Sequence, residues 1–233
     1  MPYPIETQRN LPEAAGNVDA GNLVTFAHDV PAQARQDLLN SNLLAQLAAD
    51  KQISRFTESA AWYKRYGDTL SNLTWQVTRM RFSRYVPPGL QFNPREIVLA
   101  EMSKVESPQN VGLVRNTIDT LNSLPDDARA REVLQRFSST DHELNLQVSF
   151  GDGGSAVDIV CVIFATEEDI VDPLVQEFDV AALKSEIRIA LLSGVINERL
   201  YPAIRQSVID KLGDKRGEFI VAVESGNANS LVA

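Results

Sequence analysis

The residues able to do chemistry are few and scattered. Cys161 is the single cysteine, and it sits inside the apolar run Val157–Ala165. No neighbouring cation is present in the sequence to favour a thiolate, so this context predicts a small buried hydrophobe. Two histidines, His28 and His142, each lie beside acids, in His28-Asp29 and Asp141-His142-Glu143. Neither belongs to a histidine pair at helical spacing, and a zinc site needs three or four protein ligands. Ser41 and Ser193 supply hydroxyls, but no Gly-x-Ser-x-Gly elbow is present to activate one. The acidic group Glu167, Glu168, Asp169 and Asp172 lacks the glycine spacing of a calcium loop. It reads as the start of a capped helix. Gly151-Asp152-Gly153-Gly154 has no following Lys-Ser/Thr, so it reads as a hairpin turn and not as a phosphate cradle.

Two aromatic groupings remain. Arg79-Met80-Arg81-Phe82-Ser83-Arg84-Tyr85 interleaves bases with aromatics, a composition that can bind single-stranded nucleic acid. The net charge of −9 opposes polyanion binding. The expectation is an amphipathic strand with Met80 and Phe82 packed inward and no useful nucleic-acid affinity. Trp62, Tyr63, Tyr66 and Trp75 could line a pocket, but their spacing fits packing between a helix and a sheet. No residue is therefore assigned a catalytic, cofactor-binding or metal-ligating role, and no cofactor is implied.

These residues must be held by a framework that the 233-residue chain can build. Its 44% hydrophobic and 23% charged composition is ordinary for a globular protein. The longest strongly apolar run, Ile159–Ala165, is far short of the roughly 20 residues of a membrane-spanning helix. The N-terminal residues have no apolar signal core, so a cytoplasmic location is the default, with non-classical secretion open.

Residues 1–22 read as an extended arm, 23–224 as one domain, and 225–233 as a flexible tail. A helix begins near Pro31 and carries Leu39, Leu43 and Leu47 on an apolar stripe, with Asp37 and Gln46 off it. A second runs from Thr57 to Leu70. Residues 73–86 form a long strand whose alternation changes phase near Thr78, as a β-bulge or a change in which face is covered would produce. Asn93-Pro94 and Ser107-Pro108 start two further helices, and Pro125 opens a third. Strands follow at 144–150, 157–165 and 186–192. A helix spans 197–212, with Leu200, Ile204, Val208 and Leu212 inward, and a last strand covers 219–223. The expected class is α+β: a helical N-terminal half, then an antiparallel sheet packed with several helices.

The stretch LLNSNLLAQLAADKQ (38–52), with Trp62-Tyr63-x-x-Tyr66, Leu70 and Trp75, resembles a family of uncharacterised bacterial proteins. That family is associated with gene neighbourhoods encoding helical cytolysins and other toxins. The resemblance covers about the first third of the chain, through packing positions. It implies a toxin-accessory role and no catalytic residue. The expected function is a non-enzymatic interaction protein with a protein partner. The alternative is a small-molecule or metal-dependent enzyme whose site is assembled from distant residues. A pore-former would need a long apolar tongue, and the sequence has none.

Overall fold

The computed structural model describes residues 16–153 and 156–224. Seven strands make one sheet: β1 (Gly16–Asp19), β2 (Asn22–Phe26), β3 (Trp75–Tyr85), β5 (Glu143–Gly151), β6 (Ala156–Ala165), β8 (Ile187–Ile196) and β9 (Ile220–Val223). Their spatial order is β3-β8-β6-β5-β2-β1-β9. Two short strands, β4 (Gln91–Phe92) and β7 (Phe178–Asp179), pair separately. The helices are α1 (Ala32–Asp50), α2 (Ser59–Asn72), α3 (Pro94–Met102), α4 (Pro108–Asn122), α5 (Arg129–Ser138), α6 (Tyr201–Leu212) and α7 (Lys215–Phe219).

This arrangement corrects the expected class. The chain is mixed α/β, with strands and helices interleaved, and its N-terminal half is not simply helical. Two strands precede α1, and β2 runs parallel to β5, with Asn22 opposite Gln147 and Phe26 opposite Gly151. The other pairings of the large sheet are antiparallel. The reason lies in residues 16–26, GNVDAGNLVTF. Their polar members resemble a solvated arm, yet Asn17, Asp19 and Asn22 are all buried. The alternation is present, but on the face that would normally meet water Asp19 meets Asn42 of α1 and Asn22 meets Ser149 of β5. Residues 1–15 of the expected arm and the tail 225–233 lie outside the described residues.

Cross-strand register assigns each side chain to a face. Asp19, Asn22, Gln147, Cys161, Ala190 and Phe82 share one face, along which α1 and α2 lie. The opposite face carries Val148, Val160, Leu191 and Phe164. There Phe164 meets Phe92 and Phe178 with ring centroids 5.1 and 5.0 Å apart. α4 comes so close to that face that a Cβ on Gly16 would lie 2.4 Å from the Thr117 methyl. α3 and α5 pack beside α4.

Several local expectations match. The register of β3 shifts between Val77 and Arg79. That bulge puts Trp75, Val77, Met80 and Phe82 on the same face despite their mixed parity. Asn93 caps α3 through the Arg95 amide at 2.9 Å, and Ser107 caps α4 through the Asn110 amide at 3.2 Å. The β5–β6 hairpin turns where the glycines predict. The strand at 73–86 joins the same sheet as this hairpin, but through β8.

Others do not match. No helix lies between Thr166 and Pro173. The acids there hold a loop, with Asp172 accepting from the Leu174 and Val175 amides at 2.9 and 3.1 Å and Glu168 from the Asp179 amide at 2.8 Å. Leu47 is only half-buried, while Asp37 and Gln46 are buried. Leu200 is exposed just before α6. Met80 and Phe82 remain 39% and 40% exposed, because no strand lies beyond β3 to cover them.

Candidate functional site

A seam of polar side chains runs between the sheet and helices α1 and α2. From the sheet come Asp19, Asn22, Asn145, Gln147 and Ser149; from α1, Ser41, Asn42 and Gln46, each buried. α2 adds Tyr63 and Tyr66. The Tyr66 hydroxyl donates to Asn42 Oδ1, and Asn42 Nδ2 donates to Asp19 Oδ2 at 2.5 Å. Gln46 Nε2 donates to the Asp19 carbonyl at 2.8 Å, while its Oε1 accepts from the Gly21 amide at 3.2 Å. Gln147 Nε2 donates to the Tyr63 hydroxyl at 3.0 Å, which donates to Asn145 Oδ1 at 3.2 Å. Trp75 Nε1 donates to Ser41 Oγ at 3.0 Å. These bonds offset the cost of burying polar groups and fix the register of α1 on the sheet.

Arg55 closes one end of the seam. Its guanidinium forks onto Asp50 at 2.9 and 2.6 Å, donates to the Phe137 carbonyl at 2.9 Å, and lies 4.6 Å from the Trp62 ring centroid. Trp62 Nε1 donates to the same Asp50 carboxylate at 2.7 Å. Trp62 in turn stacks on Tyr66, with centroids 5.2 Å apart and planes 10° from parallel.

The electrostatics follow from this burial. Burial pushes the Asp19 carboxyl well above its ordinary value of 3.8, against the opposing pull of the Asn42 hydrogen bond and the Arg55 charge. The Tyr63 and Tyr66 phenols are pushed up for the same main reason. The Cys161 thiol, which donates to Asn145 Oδ1 at 3.2 Å, is pushed up to about 12 by burial. A neutral thiol is a poor nucleophile.

A raised folded pKa means that protonated Asp19 stabilises the fold fully below the ordinary carboxyl value. That contribution is lost as pH rises toward the folded value. Asp19→Asn should therefore be more stable than the parent near neutral pH, by about 1–3 kcal/mol. The advantage should vanish in acid below the ordinary value. Denaturant midpoints at the two pH values check this, and an advantage that grows in acid would contradict the protonation state.

The other residues singled out by the sequence do not converge. Ser41 Oγ donates to the Asp37 carbonyl at 2.7 Å, and Ser193 Oγ donates to Asp158 Oδ1. His142 Nδ1 faces the Glu168 carbonyl at 3.1 Å, and His28 is exposed in the turn before α1. No hydrogen bond joins a serine to a histidine among the described residues. No group of three His, Cys, Asp or Glu placed to hold a metal ion occurs among them. No described helix is long and apolar enough to cross a membrane.

One opening to the surface lies between the start of α1 and the start of α6. It has a volume of about 230 Å³, and its apolar lining includes Val30, Ala34, Leu38, Ile196 and Pro202. One wall carries a fork–fork ion pair, in which Arg205 Nε and Nη2 each donate to a different Asp37 oxygen at 2.7 Å. Gln33 Nε2 holds the same carboxylate at 2.9 Å. Asp37 holds the Arg205 guanidinium above its ordinary value through that bond. Tyr201 lines the cleft, its phenol pushed up by burial and then by the Asp37 charge. Sequence reading missed this site because its halves come from residues 30–38 and 196–205. Neither half is a motif, and Asp37 read as an ordinary exposed helical acid.

No protein-family model matches the chain, and no curated protein matches it. Among solved structures, the chain is similar to one described as "Structure of the Evf virulence factor", with 10% identity and a TM-score of 0.36. The match covers 94% of this chain and 86% of that one. At that similarity the overlap of the folds is partial and says nothing of shared chemistry.

Proposed function

We propose that this protein works by binding a protein partner, and that the α1/α6 cleft receives an apolar side chain of that partner. The observation that carries this reading is the cleft itself: an apolar floor beside a rigid, charge-balanced Asp37–Arg205 pair. Its volume of about 230 Å³ is below the roughly 300–1,000 Å³ of small-molecule sites. It is suited to a side-chain anchor of the kind that dominates protein interfaces. Asp37 and Arg205 balance each other's charge within the wall, and the lining also includes Asp152 and Glu198. The resemblance of residues 38–52 to a family found in toxin gene neighbourhoods supports a toxin component as the partner.

Photocrosslinking in cells tests the reading. A benzoylphenylalanine at Gln33, on the cleft rim, should give a discrete protein adduct, and the same probe at exposed Lys64 on α2 should not. Ala34→Trp, which fills the cleft, should abolish the Gln33 adduct while circular dichroism shows the fold retained. Equal adducts at both positions, or an adduct that survives filling, would sink the reading.

A further inference from the structure

We propose that the free edge of β3 is a second docking site, which captures an extended acidic segment of a partner protein by strand addition. β3 ends the sheet order and pairs with β8 alone among the described residues. From Arg79 to Tyr85 its register with Ser193 to Ile187 is uninterrupted. Alternate backbone N–H and C=O groups along that stretch face outward, a template for one more strand. Natural sheets blunt such edges with bulges and charges. Here the bulge at Val77/Arg79 guards only the first part of the strand.

The side chains on this edge indicate what would pair with it. On one face lie Met80 and Phe82, both exposed, yet both anchored. Phe82 meets Tyr63 edge-to-face at 5.7 Å, and the Met80 thioether rests over Gly67 of α2. An added strand would extend this apolar pair and cover it. On the other face stand Arg79 and Arg81, both exposed and without a carboxylate partner among the described residues. Back on the Met80 and Phe82 face, Arg84 lies directly across from exposed Arg188, and Glu186 is the acid that meets Arg84, at 3.1 Å. This is a local basic concentration on a chain of net charge −9. Past Tyr85, between the end of β3 and the start of β8, lies a shallow depression of about 370 Å³ bordered by Val86, Lys184, Glu186 and Ile187.

Charge also argues against a second copy of this chain as the occupant. An antiparallel self-pair centred on Met80 would set Arg79 opposite Arg81 of the other copy twice over, and like charges directly opposite are destabilising. An acidic strand would place carboxylates there instead. Nucleic acid lacks backbone N–H and C=O groups to continue the ladder.

The probe is a fluorescein-labelled short peptide alternating Glu and Val, followed by anisotropy. Controls are the Lys–Val counterpart, an acidic version interrupted by proline, and a labelled oligothymidine. The acidic peptide should bind and protect amides of Arg79–Tyr85 from hydrogen exchange. The double variant Arg79→Glu/Arg81→Glu should bind it about tenfold more weakly. Both substitutions are on the exposed face, so the fold should be kept. Ala34→Trp should leave this binding unchanged, which separates the edge from the α1/α6 cleft. Failure of the acidic peptide to bind, or equal binding of the proline version, would overturn the proposal. So would tighter binding of the oligonucleotide, or concentration-dependent dimerisation abolished by the double variant.

Discussion

Replacing Arg55 with Met should destabilise the protein by about 3 kcal/mol, the lower end of the cost of breaking a buried ion pair, because the Asp50 left behind is 27% exposed. Arg55 is 3% exposed and serves three elements at once. It neutralises Asp50 at the end of α1, covers Trp62 of α2, and satisfies the Phe137 carbonyl in α5. Met would fill much of the volume but leave the carbonyl unpaired and Asp50 with the Trp62 indole as its remaining side-chain donor. Lys should rescue little, because an ammonium cannot fork onto the carboxylate and stack on the indole together. Denaturant unfolding of the Met and Lys variants checks both statements. A midpoint for Arg55→Lys equal to the parent would show that charge alone matters.

Leu43→Ala should cost about 2–5 kcal/mol, and Leu47→Ala clearly less. The two leucines are one helical turn apart on α1 and look equivalent in the sequence. Leu43 is fully buried, whereas Leu47 is half-buried, so only the first leaves an enclosed cavity when truncated. The difference between the two denaturation midpoints is the measurement. Equal losses would mean that α1 is rotated from the orientation described above.

Such equivalence in sequence and difference in structure explain which parts of the fold could be read in advance. The aromatic face of α2, the bulge in β3 and the caps Asn93 and Ser107 rest on local chemistry: apolar spacing, a change of alternation, and a side-chain acceptor before proline. The two N-terminal strands and the true inner face of α1 rest on long-range pairing of polar groups. Asn17, Asp19 and Asn22 look solvated until Asn42 and Gln46 are placed opposite them. One signal was available. From Leu38 to Ala49 there is no charged residue, although helix surfaces facing water normally carry Lys and Glu. A polar face built from amides and a hydroxyl is one that expects protein and not solvent across from it. The α1/α6 cleft left no comparable trace, because nothing in residues 30–38 indicates that residues 196–205 will lie beside them.

The parallel pairing of β2 with β5 has a consequence for how the molecule is made. Asn22 finds its partner at Gln147, and Gly16 finds one at Val223. During synthesis the β1–β2 hairpin leaves the ribosome before β5 and β9, the strands that flank it in the sheet, and waits, edges open, until they have followed. Loop closure over such separations slows folding, and strands left unpaired meanwhile can join other chains. The amides and carboxyl of Asn17, Asp19 and Asn22 are then an advantage. They keep one face of the waiting hairpin wet, so it is a poor seed for aggregation until α1 arrives to meet Asp19 and β5 to meet Asn22.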